Sequence, residues 1–145
     1  MRVSIFIGLP IFALGIVLSY LAGALIVTQT VTPLQTTANL FATAIFILFS
    51  ASMLGIGIGL VVHWIIGFAS HMKAFVAELV LSFAAFFVGI GATIMSANFW
   101  SGLQLFFAFF TASMTLFSLS FINLFGGIAH GLFAVKKYVK KKFKK

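Results

Sequence analysis

Cysteine and aspartate are absent from this chain, and Glu78 is its only acidic residue. Without thiols there is no disulfide framework, no thiolate metal site and no cysteine nucleophile. A single carboxylate cannot make an acid/base pair. Neither a GxSxG nucleophile elbow nor a P-loop occurs. Gly55-Ile56-Gly57-Ile58-Gly59 superficially resembles a nucleotide loop, but it lies inside an apolar run with no strand before it, so it reads as helix packing. The chain is therefore expected to be no enzyme, with no catalytic residue and no cofactor.

Charge is also scarce. Charged residues make up 7% of the 145, where a soluble domain carries about 25%. Hydrophobic residues make up 63% and the mean hydropathy is +1.26. A surface so poor in charge cannot be covered with water-compatible groups, and the apolar runs are long enough to span lipid. No run alternates polar and apolar residues as barrel strands must. The expected fold class is an all-α integral membrane protein, a four-transmembrane-helix antiparallel bundle.

The spans read as residues 3–28, 40–66, 75–98 and 103–135, followed by a polybasic tail at 136–145. Arg2, the first apolar run and Ala22-Gly23-Ala24 also resemble a cleavable signal sequence. That run is longer than a signal needs, which favours a retained helix. Thr28 to Asn39 is an uncharged connection in which Pro33 interrupts helical continuity. Gly67 to Lys73 makes the next turn, and Ser96 to Gly102 the third, with Trp100 expected at headgroup level. At 1.5 Å per residue the fourth span would be ~50 Å long, against ~30 Å of hydrocarbon. It is expected to tilt, to bend near Gly126-Gly127 or to protrude on the tail side.

Seven of the nine basic residues fall in the last ten positions: Lys136, Lys137, Lys140, Lys141, Lys142, Lys144 and Lys145. In a four-span chain Arg2, Lys73 and these lysines share one side. By the positive-inside rule both termini then face the cytoplasm. Such a juxtamembrane cluster suits anionic lipid headgroups. Phosphate of a nucleic acid is the alternative, reachable only through the tail.

Small residues recur at alternating spacings of four and three within the spans. Glu78, Ser82, Ala85, Gly89, Ala92 and Ser96 form one stripe, and Ser52, Gly55 and Gly59 a second. Gln104, Ala108, Thr111, Thr115 and Ser118 form a third, and Gly8, Gly15, Ser19 and Ala22 a fourth that Phe12 breaks. In lipid, helices are held by close packing and hydrogen bonds rather than by hydrophobicity, so such stripes mark seams between helices. Thr111, Thr115 and Ser118 are also the candidates to line a polar path.

His63, Glu78 and His130 should lie at one depth, near the cytoplasmic side. His71 shares a face with Glu78 if the third helix begins early enough. A carboxylate inside a membrane needs a partner. Lys73 or a tail lysine would serve in an interfacial arrangement; alternatively the histidines join Glu78 to hold a metal or pass a proton. No EXXH or HXXXH spacing occurs to favour a metal.

The expected function is a non-catalytic structural or accessory subunit, packed against copies of itself or other transmembrane helices, with its tail on anionic lipid. The layout is also similar to that of a pore-forming holin. It is similar, too, to a viral envelope protein whose tail meets nucleic acid in the virion interior. A proton- or metal-handling subunit of a redox complex is the remaining alternative.

Overall fold

The computed structural model describes residues 2–27, 33–98 and 103–142. They form four helices: α1 (Arg2–Val27), α2 (Pro33–Ile66), α3 (His71–Asn98) and α4 (Leu103–Lys142). Each is long and apolar enough to cross a membrane.

Three boundaries differ from expectation. Helix α2 begins seven residues before Leu40, with Pro33 in the first helical position, where its missing N–H costs no hydrogen bond. Helix α3 begins at His71 rather than at residue 75. Ser70 stands just before it and accepts the Ala74 amide at 2.9 Å through its carbonyl, which is the N-cap position. The turn thus shrinks to 67–70, closed by the Gly67 amide on the His63 carbonyl at 3.0 Å. Helix α4 does not stop at Val135 but continues through the lysines to Lys142, helical across Gly126-Gly127. Its 40 residues extend ~60 Å. Residues 28–32 and 99–102, which include Trp100, and the tail residues Lys144 and Lys145 lie outside the described residues.

Consecutive helices are antiparallel. Along α1 and α2, Gly8 meets Leu60 and Gly15 meets Leu54, while Ser19 bonds Ser50. Between α3 and α4, Ser82 bonds Ser120 and Thr93 bonds Ser113. The third large interface joins α2 to α4, which run parallel: Gly55 lies on Thr115 and Ser118, and Gly59 on Ile122. By contrast α2 and α3, joined by a tight turn, barely touch. The helices therefore pack in the order α1, α2, α4, α3, and α2 and α4 form the centre.

Glycine explains the centre. At 3.6 residues per turn, Gly55 and Gly59 project to one side of α2 and Gly57 to nearly the opposite side. A Cβ at Gly59 would come within 2.7 Å of Ile122, and one at Gly57 within 2.7 Å of the Phe12 backbone. Phe12 therefore does not break the α1 seam; it is the residue seated on Gly57. A small apolar cluster of Ala22, Ile47 and Phe107 closes the far end.

Many polar side chains in the spans turn inward: Thr43, Ser50, Glu78, Ser82, Ser96, Ser113, Ser120, Asn123 and His130 are buried. The outside carries Phe6, Phe41, Phe87, Phe121, Phe125 and other large apolar groups. That is the inverse of a water-soluble bundle.

Filling the centre should be costly. Gly57→Ala and Gly59→Ala are each expected to lower stability by about 1–3 kcal/mol, as overpacking does. Gly91, whose Cβ position meets nothing within 4 Å, should accept alanine with no loss. Unfolding of the detergent-solubilised protein by heat or added SDS checks the contrast.

Candidate functional site

Three helices deliver the ionisable groups to one place. His63 lies in the last turn of α2, Glu78 two turns into α3, and His130 on the inner face of α4. Ligand atoms of the three lie within 4.8 Å of one another. The structure brings together the three groups that the sequence suggested for one depth, and the cause is the pairing of α4 with both α2 and α3.

Glu78 is fully buried. Its Oε1 is 2.6 Å from His63 Nδ1 and 3.9 Å from His130 Nε2. The expected interfacial pairing with a lysine is corrected, because the carboxylate sits inside, against imidazoles. Among the described residues, Glu78 Oε2 and His130 Nε2 are both buried without a hydrogen-bond partner. A buried polar group left unpaired is costly, and such groups are few in folded proteins.

The early start of α3 brings in His71. Its Nδ1 lies 3.2 Å from Nδ1 of His130, so one imidazole donates and the other accepts. The three rings form a row, with centroids 5.1 Å apart for His63 and His130 and 5.5 Å apart for His71 and His130. A cavity of about 410 Å³ opens beside them, lined by His63, His71, Ala129, His130 and Phe133.

Gly126 makes the cluster possible. A Cβ there would lie 2.6 Å from Glu78 Oε2 and 2.7 Å from His63 Nδ1. The Gly126-Gly127 pair, one place where a bend was expected among other outcomes, leaves room for a carboxylate and a ring. No local sequence pattern announces this, since the groups it accommodates belong to two other helices.

Of the expected packing residues, Gly55, Gly59, Ser82, Ala85 and Gly89 are buried, and Thr111 and Thr115 are half-buried. Gly55 and Gly59 face α4. Ser82 donates to the Ser120 carbonyl at 2.9 Å, and Ser120 returns a bond to the Ser82 carbonyl at 2.9 Å. Ala85 is buried, and Gly89 packs on Phe117 and accepts from Ser113 at 3.2 Å. Thr111 and Thr115 donate to carbonyls of their own helix, those of Phe107 and Thr111, and the Thr115 carbonyl lies over Gly55. Thr115 and Ser118 thus adjoin α2 at Gly55. Sequence reasoning missed the Thr93–Ser113 bond at 2.6 Å and the buried Asn123; polar residues in apolar runs were the available signal. Lys136, Lys137, Lys140, Lys141 and Lys142 are exposed along the end of α4.

Among known protein families, curated proteins and solved structures, none matches this chain.

The buried pair carries a stability consequence. His63→Phe removes the close partner of Glu78 and should cost about 3–5 kcal/mol, whereas replacing both members with apolar residues should recover most of it. Denaturation of the single and double variants measures the difference.

Proposed function

We propose that this chain is a multi-pass membrane protein of structural or accessory kind, without catalytic activity, that pairs with a second copy of itself through the outer face of α3. The observation that carries the reading is the stripe of Ala77, Ala84 and Gly91. These residues are spaced by seven, all are exposed on α3, and Gly91 looks onto open space. In hydrocarbon, small residues on an outer face leave a shallow groove that lipid tails fill poorly and another helix fills well. The same stripe on two copies is self-complementary about a two-fold axis.

Both termini are assigned to the cytoplasmic side. Support comes from the way the ends gather: Gly8 of α1 packs beside Leu60 of α2, and His71 beside His130. The start of α1 with Arg2, the first turn of α3 with Lys73, and the lysines of α4 therefore share one end. Positive residues at one end favour that end inside. A cavity of about 620 Å³ between the turn and α4 is lined by Gly67, Ser70, Met72, Lys137, Tyr138 and Lys141 among others. Apolar walls beside two lysines suit an anionic lipid headgroup with its upper acyl chain, at about 1 kcal/mol per basic residue near the surface.

Gly91→Leu should reduce self-association at least tenfold while leaving the melting temperature of the isolated chain unchanged. Cross-linking and sedimentation in detergent read the first quantity. A monomeric wild type, or a dimer indifferent to Gly91→Leu and Ala84→Leu, would overturn the reading. Labels placed at Met1 and at Lys145 in sealed vesicles should react from the same side; opposite sides would remove the orientation.

A further inference from the structure

The Glu78 cluster contains a set of acceptors with too few protons to satisfy them. When His130 donates Nδ1–H to His71 across the 3.2 Å contact, its Nε2 becomes a bare lone pair. That atom is buried without a partner and lies 3.9 Å from a carboxylate oxygen. The reverse arrangement, with His71 donating, puts an N–H on Nε2 at 3.9 Å from the oxygen, too far to bond. Among the described residues neither assignment pairs Nε2, and neither gives Glu78 Oε2 a donor. In the first arrangement a bare imidazole nitrogen stands 3.9 Å from a carboxylate oxygen, a gap that a cation between them would fill.

We propose that His63, Glu78 and His130 bind one divalent transition-metal ion of the zinc or iron(II) class, with His71 as the positioning residue that holds the His130 ring. Two imidazole nitrogens and one carboxylate oxygen are a donor set such ions accept, with a position left open. Bonds of about 2.0–2.1 Å at a tetrahedral centre place neighbouring donors roughly 3.3 Å apart. The 2.6 Å His63–Glu78 contact widens and the 3.9 Å His130–Glu78 gap narrows by similar amounts on binding, a change that side-chain rotation supplies. The hydrogen bond from a ligating histidine's other nitrogen to an acceptor fixes its tautomer, and His71 offers that acceptor. Gly126 keeps the space beside Oε2 and His63 Nδ1 clear. The cavity lined by His63, His71, His130 and Phe133 gives an approach and room for a water as a further ligand.

Because the three ligands come from three helices, the ion ties α2, α3 and α4 together. The absence of EXXH or HXXXH spacing is then no objection, since those patterns describe ligands on one helix. The site does not depend on self-association through α3.

The test uses full-length, untagged protein in detergent, stripped with a chelator and titrated with zinc(II), with cobalt(II) as an optical probe, and with iron(II) under anaerobic conditions. The expected results are one ion per chain, visible absorption of low-symmetry cobalt, and a melting temperature that rises with metal concentration. Glu78→Gln and His130→Gln should each weaken binding at least a hundredfold. His71→Asn should weaken it about 10–100-fold while keeping the stoichiometry and the cobalt spectrum. Circular dichroism of each metal-free variant establishes that it is folded, and Lys73→Gln reports binding that does not involve the cluster. Folded wild type that takes up none of the three ions overturns the proposal. So does uptake that survives both Glu78→Gln and His130→Gln, or that falls equally in Lys73→Gln.

Discussion

Helix α2 is without side chains at three of the points where its neighbours press on it. Gly55 and Gly59 admit the α4 backbone on one side, and Gly57 admits α1 at Phe12 on the other. In hydrocarbon the gain from burying one apolar surface against another is small, so contact distance decides which helices associate. Three glycines spaced by two residues give α2 two close faces within little more than one turn. The order α1, α2, α4, α3 follows from that.

With α4 seated on α2, the opposite face of α4 is left for α3. That second interface is lined with hydroxyls rather than glycines alone: Ser82 with Ser120, Thr93 with Ser113, and Ser113 with the Gly89 carbonyl. Bonds of this kind contribute about 0.6–2 kcal/mol each in a membrane setting, and they fix the register of α3 along α4. The register in turn decides where Glu78 lies. One turn of sliding would take the carboxylate away from His63 and from the space above Gly126. The ionisable cluster is thus a consequence of packing set elsewhere, and its place at the end where α2 turns into α3 puts it next to the lysine-bearing end of α4.

The proposed roles use different surfaces. Self-association draws on the outer face of α3, lipid contact on the basic end of α4, and metal binding on the interior between α2, α3 and α4. Separate surfaces permit one to be altered without the others. A metal ion joining three helices would also stiffen the scaffold on which the outer face of α3 depends.

Much of the architecture was legible in the order of the residues. Four apolar runs separated by polar or glycine-containing turns specify four helices, because length and hydropathy are local properties and a backbone without water must bond within its own segment. The small-residue stripes marked the seams for the same reason: a periodicity of alternating four and three survives in any surroundings. The placement of His63, Glu78 and His130 at a common depth came from counting turns. Tertiary structure alone decided which seam met which. That α2 pairs with α4 in parallel and hardly with α3, that Phe12 fits Gly57, that Gly126 clears space for Glu78, and that His71 reaches His130 all depend on two helices meeting at a given register. Register between segments far apart in the chain is set by the best fit of whole surfaces, and no stretch of one segment contains it.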